Sequence, residues 1–269
     1  MAYEQERWTA SSVGLDLTVL GSSAAWSERL GRLSSSYMLE VDGQALILDL
    51  GQGSLSALFG HRDPSSVTAV AISHMHGDHH VDLIPLRNLL YYGYEGGPRG
   101  VALHVPDELR RRYDAFLGEA GFLDILAGPE LIEGTRSIGP FVLQAHPVMH
   151  SLHSYAFRVT TTALPDGPGL VYSGDCGQAD DLLPLICGGD TVLCEAFWST
   201  LEPIAGANHL SAAEAAGVAR RGGAAELVLT HILDAHDPEA ALSAASAIFP
   251  GPVLLAEPGL VRHIEDGST

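Results

Sequence analysis

Hydrophobic and polar residues alternate over several short stretches of the chain, a pattern typical of β-strands with one buried face. The dipeptide Asp42-Gly43 separates two of these stretches and predicts a tight hairpin turn. Ser211 followed by Glu214 forms a capping box that predicts the start of a helix. The predicted strands are 15–20, 36–41, 45–50, 67–73, 101–105, 141–148, 155–161, 170–173, 191–194, 226–230 and 253–256. The predicted helices are 81–92, 107–117, 211–221 and a segment that begins at 237–238.

The order of these elements indicates an α/β fold. Strand-rich halves with interleaved helices predict an αββα sandwich, in which two packed mixed sheets are flanked by helices. No run of Gly, Ser or Pro is long enough to be a linker between domains. We therefore expect residues 1–269 to form a single domain, with a core from about 15 to 262.

The charge balance bears on the substrate. The chain carries 14 basic and 33 acidic residues, which gives a formal net charge of −19. Proteins that bind nucleic acid gain affinity by neutralising phosphates with Lys and Arg, and they usually show a basic patch. A long polyanionic substrate is therefore disfavoured.

Three features predict a cytoplasmic protein without membrane association. The N-terminal residues lack the basic start and the apolar stretch of a secretory signal. No apolar run approaches the roughly 18–20 residues that are needed to cross a bilayer. The three cysteines form no CxxC pair, which fits a reducing compartment.

The segment His74-Met-His76-Gly-Asp78-His79 follows a predicted strand and is the strongest chemical signal in the chain. Imidazole and carboxylate groups are ligands suited to zinc, manganese or iron. In a tight turn, residues two apart can point to the same side, so His74 and His76 can bind one ion while Asp78 and His79 face a neighbouring position. We expect Gly77 to permit the bend between them. The alternative is a polar surface loop that happens to contain histidines.

This motif resembles the signature of the metallo-β-lactamase superfamily, and further segments resemble its other motifs in the same order over residues 15–262. Residues 20–24 and 48–53 are similar to the opening motifs, 146–158 to the third motif of the ribonuclease Z-like branch, 172–177 to the fourth and 229–231 to the fifth. The resemblance implies the αββα fold and two divalent metal ions, with zinc expected and manganese or iron as alternatives. One ion would take His74, His76 and His150, and the other would take Asp78, His79 and His231, with Asp175 shared.

The resemblance also implies how the reaction proceeds. Two cations about 3.5–4 Å apart can hold a bridging hydroxide, which is the expected nucleophile, and Asp78 would orient it. His209 resembles a histidine that protonates the leaving oxygen, and Glu195 resembles the acid that supports it. The alternatives are a surface histidine beside a helix and a buried acid satisfied by backbone amides. Ser154 and Arg158 match the third motif and are expected to line the phosphate site, whereas His146 and His153 are not expected to be ligands.

Within the superfamily, the chain departs from enzymes that process transfer RNA 3′ ends. Those enzymes carry a basic protruding arm, and the stretch 94–141 is too short to contain one. The closer resemblance is to compact actinobacterial phosphodiesterases, including atypical cyclic-nucleotide phosphodiesterases. The expected substrate is a small phosphodiester, with a cyclic nucleotide as first candidate. The alternatives are a ribonuclease Z-type nuclease, a lactonase or thioesterase on the same metals, and a binding protein without activity. Transfer RNA is not an expected partner, and a homodimer is the expected oligomer.

Overall fold

The computed structural model describes residues 14–106, 108–126, 128, 133–202 and 208–265. The hairpin turn at Asp42-Gly43 is present, with both residues at positive φ (51° and 74°). The strands are β1 (Leu15–Gly21), β2 (Ser36–Val41), β3 (Gln44–Leu48), β4 (Ala69–Ala71), β5 (Ala102–His104), β6 (Gly134–Ile138), β7 (Phe141–Val148), β8 (Ser154–Thr161), β9 (Leu170–Tyr172), β10 (Thr191–Glu195), β11 (Glu226–Thr230), β12 (Val253–Leu255) and β13 (Val261–Ile264). The helices are α1 (Ser54–His61), α2 (Gly77–His80), α3 (Leu83–Tyr92), α4 (Leu109–Leu117), α5 (Ala212–Gly222) and α6 (Pro238–Ser246).

The strands form two mixed sheets. One has the order β13-β1-β2-β3-β4-β5, with antiparallel pairs as far as β3 and parallel pairs from β3 to β5. The other has the order β12-β11-β10-β9-β8-β7-β6, with parallel pairs from β12 to β9 and antiparallel pairs from β9 to β6. The prediction of two mixed sheets is confirmed.

Alternation along the strands sorts the apolar side chains into three buried layers. In β3, Leu46 and Leu48 belong to the layer between the sheets, whereas Ile47 belongs to the layer with α1 and α3. In β10, Leu193 faces the inner layer and Val192 packs with residues of α5 and α6. Each sheet therefore packs against the other sheet with one face and against helices with its opposite face. This arrangement is the predicted αββα sandwich.

Helix starts follow the capping signals. Ser211 Oγ accepts a hydrogen bond from the Glu214 amide, and the Glu214 carboxylate accepts one from the Ser211 amide, so the capping box is complete. Asp237 caps α6 through the Glu239 amide. The predicted start of α4 at Asp107 lies outside the described residues. None of the helices in the described ranges is long and apolar enough to cross a membrane.

Five strands carry most of the polar residues singled out above at or just after their carboxyl ends. The 74–79 segment follows β4, and Glu195 is the last residue of β10. His150 follows β7, Asp175 follows β9 and His231 follows β11. Rigid strands thus aim side chains from distant parts of the sequence at one region, as a metal site requires.

Candidate metal centre

Three imidazoles converge to form a first group of donors. His74 Nε2 lies 3.0 Å from His76 Nδ1, and His150 Nε2 lies 3.1 Å from the same Nδ1. An ion bound by imidazole nitrogens at about 2.0–2.1 Å needs such a convergence of ring nitrogens. The three residues and Asp175 offer ligand atoms that all lie within 4.8 Å of one another.

A second group comprises Asp78, His79 and His231. Asp78 Oδ2 lies 3.7 Å from His79 Nε2 and 3.9 Å from His231 Nε2. The short helix α2 carries Asp78 and His79, while His231 follows β11 in a positive-φ conformation (52°). The Ala25 amide donates to Asp78 Oδ2 at 2.7 Å and fixes this carboxylate toward the group.

Asp175 lies between the two groups and turns one oxygen to each. Its Oδ2 is 3.3 Å from His74 Nε2 and 3.8 Å from His150 Nε2. Its Oδ1 is 3.3 Å from both His79 Nε2 and His231 Nε2. The side chain is only 2% exposed. The structure thus brings all seven predicted ligands together, and Asp175 lies between the two groups.

Two buried atoms show that this arrangement fits metal ions. Within the described part of the chain, Asp175 Oδ1 and His79 Nε2 are buried without a hydrogen-bond partner. A buried polar atom without a partner costs about 1–3 kcal/mol. Both atoms belong to the converging donor set, where a divalent cation would satisfy them. The residues therefore fit two ions.

The pKa shifts of the ligands agree with this fit. Burial lowers the pKa of His150 and of His231 to about 4, so both imidazoles are neutral. Burial would raise the pKa of Asp175, but the imidazoles of His231, His79 and His74 hold it well below its usual range. Neutral imidazole and ionised carboxylate are the forms that bind metal.

Asp49 lies within the predicted opening motif 48–53, which assigned it no role, and it is linked to residues of both groups through hydrogen bonds. His79 Nδ1 donates to Asp49 Oδ2 at 2.7 Å, and the Tyr172 hydroxyl donates to the same oxygen at 2.6 Å. Ser73 Oγ also donates to Asp49, at 2.7 Å, and lies 3.0 Å from His74 Nδ1. Asp49 therefore orients His79 directly and His74 through Ser73, as carboxylates behind metal-binding histidines commonly do.

The pKa of His79 is raised well above its usual value. Burial would lower this pKa, but the carboxylates of Asp175 and Asp49 outweigh burial. Two carboxylates beside one ring favour a positive charge there, which a metal ion at Nε2 would supply in place of a proton. Two other ligands are also oriented by hydrogen bonds at the ring nitrogen that faces away from the metal position. His150 Nδ1 donates to the Asn208 carbonyl at 2.9 Å, and His231 Nδ1 lies 3.1 Å from Ser35 Oγ.

The Asp49 carboxylate should control metal affinity. We expect Asp49→Asn to weaken metal binding about 10–100-fold, the usual cost of losing a group that orients a metal ligand. Competitive titration with a chromophoric chelator measures the affinity. Tyr172→Phe is the matched control, because it removes one donor to the same carboxylate and leaves both histidines oriented. Wild-type affinity in Asp49→Asn would show that Asp49 does not orient the ligands.

His209 and Glu195 form a pair beside the metal ligands. His209 Nδ1 lies 3.1 Å from Glu195 Oε1 and 3.2 Å from Oε2, and 4.0 Å from Asp175 Oδ2. Glu195 is fully buried and also accepts hydrogen bonds from the amides of Cys176 (2.7 Å) and Leu210 (3.2 Å). The acid is therefore satisfied by backbone amides and by His209 together.

Electrostatics in this pair favour a shared proton. Burial raises the pKa of Glu195 to about 7, although the hydrogen bond from His209 opposes the shift. Burial would lower the pKa of His209, but its hydrogen bond and its charge interaction with Glu195 outweigh burial and raise it. The pair therefore holds a proton at the edge of the metal ligands.

Four of the seven ligands line one cleft together with His209; they are His76, Asp78, Asp175 and His231. The cleft has a volume of about 520 Å³. Phe197 forms part of its wall and stacks on His209, with ring centroids 4.3 Å apart and an angle of 13° between the planes. This stacking restricts rotation of the imidazole. The cleft is lined by Ala25, Gln52, His76, Gly77, Asp78, Val81, Asp175, Phe197, His209 and His231.

Comparison with known families supplies an independent observation. The family described as "Beta-lactamase superfamily domain" matches residues 48–232, which include every ligand of both groups. The chain belongs to the metallo-β-lactamase superfamily. The chain is similar to the uncharacterized protein ML1173 of Mycobacterium leprae, with 36% identity over 249 residues that cover 90% of this chain and 86% of that protein.

Two further relatives place the chain among the metallo-hydrolases of this superfamily. The probable metallo-hydrolase YhfI of Bacillus subtilis is 26% identical over 250 residues, 92% of this chain and 99% of that protein. The crystal structure of YhfI superposes with a TM-score of 0.82 at 24% identity, over 93% of this chain and 99% of that one. A ribonuclease Z of Halobacterium salinarum is 25% identical over 304 residues, 93% of this chain and 97% of that protein.

Two residues carried over from the superfamily's third motif do not reach the cleft. Arg158 forms a buried ion pair with Asp190, with Nε–Oδ2 and Nη2–Oδ1 distances of 2.8 and 2.9 Å. Ser154 Oγ donates to the Asp175 carbonyl at 2.9 Å. The prediction that Ser154 and Arg158 line a phosphate site is therefore corrected. Arg158 neutralises a buried acid, and Ser154 holds the backbone that carries the shared ligand.

The role expected of Gly77 is also corrected. Gly77 is absent from the residues with positive φ, and a Cβ built on it would meet no atom within 4 Å. The bend after His76 thus needs no glycine. Gly51 is a glycine that this site requires, because a Cβ there would overlap the Asp78 carbonyl oxygen. His146 and His153 lie outside both donor groups, as predicted.

Proposed function

We propose that this metallo-hydrolase cleaves a small phosphodiester at a centre of two divalent metal ions, with zinc expected and manganese or iron as alternatives. His74, His76 and His150 would hold one ion. Asp78, His79 and His231 would hold the other, and Asp175 would bind both. When bound, two such ions supply Lewis-acid charge and an activated water for displacement at phosphorus.

The observation that carries the proposal is His209, which lines the same cleft and is paired with the buried Glu195. An alkoxide leaves a phosphodiester poorly unless it receives a proton, and a positioned imidazolium supplies one. Because Nδ1 is held by Glu195, Nε2 is the nitrogen left to donate the proton. Hydrolysis of a thioester releases a stable thiolate and does not need such a donor.

Asp78 has a second role in the proposal. It borders the cleft, and the Ala25 amide fixes one of its oxygens. The imidazoles of His79 and His231 outweigh its burial and lower the pKa of Asp78, so the carboxylate is ionised. An ionised carboxylate at this position would orient the attacking water by accepting a hydrogen bond from it.

Three observations support a small substrate. A cleft of about 520 Å³ is within the range of pockets for small molecules. The net charge of −19 disfavours a long polyanion. The alignment with ribonuclease Z spans 304 positions although this chain has 269 residues, so that relative contains insertions that this chain lacks. A cyclic nucleotide is the first substrate to test.

Substrate size gives a direct test. We expect the metal-loaded protein to hydrolyse bis-p-nitrophenyl phosphate and cyclic AMP with a higher kcat/KM than it shows for 3′ cleavage of a precursor transfer RNA. Its acidic surface should also make transfer RNA binding weak. Steady-state kinetics under the same buffer, salt and metal conditions measure all three. Faster cleavage of precursor transfer RNA than of either small diester would favour the ribonuclease Z-type alternative.

A further inference from the structure

A second cavity of about 350 Å³ adjoins the metal cleft. Gly77 at the start of α2 and Val81 just after its end line both spaces, so the two lie side by side. Met75, the residue before a metal ligand, lies in the wall of the second cavity. A substrate bound at the metals could therefore extend one of its groups into this space.

The walls of this cavity are mostly apolar or aromatic. Ile84 and Val81 provide aliphatic surface, and Tyr113 and Phe116 on α4 provide aromatic rings. The nitrogens of His80 are used internally: Nδ1 lies 2.7 Å from the Tyr113 hydroxyl, and Nε2 lies 3.2 Å from the Met75 carbonyl. The cavity therefore presents surfaces for packing rather than free hydrogen-bonding edges.

The charges around the cavity argue against an anionic occupant. Among the described residues that line it, Arg112 alone carries a permanent charge. Its guanidinium pairs with Glu108 at 3.2 Å, and both side chains are exposed, at 53% and 42%. The Glu108 carboxylate offsets the charge of Arg112, so the cavity suits a neutral group.

We infer that this cavity binds a flat aromatic ring, such as a nucleobase, on the side of the substrate away from the leaving oxygen. The inference rests on the proposed function. The cavity borders the cleft at Gly77 and Val81, whereas the proposed proton donor His209 lines the cleft beside Phe197. The ring in the cavity therefore lies away from the oxygen that His209 protonates. Stacking of a base on an aromatic side chain is a common source of binding affinity.

The inference is tested with two diesters that share one leaving group. Bis-p-nitrophenyl phosphate has an aromatic ring as its second ester group, and methyl p-nitrophenyl phosphate has a methyl group. We expect Phe116→Ser to lower the ratio of their kcat/KM values about tenfold, since a tenfold change corresponds to about 1.4 kcal/mol. Comparing ratios between variants cancels the difference in intrinsic reactivity of the two esters. Phe116 is 80% exposed, so its replacement should not disturb folding.

Phe59→Ser is the matched control, because Phe59 is an exposed aromatic residue (54%) on α1 that does not line the cavity. Its ratio should equal that of the wild type. An unchanged ratio in Phe116→Ser, with both esters still hydrolysed, would overturn the inference. A change in oligomeric state without a change in the ratio would also overturn it and assign this surface to contact between copies. Failure of the wild type to hydrolyse either diester would overturn the proposed function, and this inference with it.

Discussion

Replacement of Asp175 by alanine is expected to remove both metal ions and to lower phosphodiesterase activity by at least about 10³-fold, because water without a metal has a pKa of 15.7 rather than about 7. Asp175 turns one carboxylate oxygen to each donor group, at 3.3 Å from a ligand nitrogen in both. No other predicted ligand serves both ions. Elemental analysis of purified protein and turnover of bis-p-nitrophenyl phosphate measure the two effects.

Two variants sharpen this prediction. His76→Ala should lose mainly one ion, because His76 belongs to one donor group only. Asp180→Ala is the matched control: Asp180 lies five positions after Asp175 in the sequence, is exposed and pairs with Arg221 outside both groups. It should retain two ions and wild-type turnover. Retention of both ions in Asp175→Ala would refute the shared position of this carboxylate.

Replacement of His209 by alanine is expected to separate substrates by their leaving groups. p-Nitrophenolate leaves without protonation, whereas a ribose or alkyl oxygen does not. His209→Ala should therefore preserve much of the activity on the nitrophenyl ester and reduce activity on the alkyl ester about 10²–10⁴-fold, the usual range for general acid catalysis. Kinetics with bis-p-nitrophenyl phosphate and cyclic AMP measure the difference.

Metal content and Glu195 provide the controls for His209. Metal content should stay unchanged in His209→Ala, because His209 is not one of the seven proposed ligands. Glu195→Gln should show the same selectivity in weaker form, since it removes the charge that keeps the imidazole protonated. An equal loss on both esters would assign His209 to substrate positioning. Loss of metal would make His209 a ligand.

The fold could be predicted largely from local sequence pattern. The strands β2 and β7 have the predicted boundaries. The strands β6 and β13 were missed because they are edge strands with mostly polar or exposed residues, which weakens the alternation. The helix α1 was missed because it has eight residues and no side-chain cap.

The metal ligands could be singled out because four of them lie within six residues and the others match motifs that follow strands. The supporting contacts could not, because they join residues far apart in the sequence. His79 and Asp49 are 30 positions apart, and Tyr172 and Asp49 are 123 apart. Arg158 was placed in the site wrongly, because its spacing fits a motif. Its guanidinium instead pairs with Asp190, which is 32 positions away in the sequence. Cytoplasmic location, the single domain and the homodimer stay predictions.

The choice of substrate tests the proposed phosphodiesterase activity most directly. Protein loaded with zinc or manganese should be given a small phosphodiester, a lactone and a thioester side by side, and kcat/KM determined for each. We expect the phosphodiester to be hydrolysed best and His209→Ala to lower kcat/KM only for phosphodiesters with poor leaving groups. Preferred hydrolysis of the lactone or the thioester, with no effect of His209→Ala, would contradict the proposed activity.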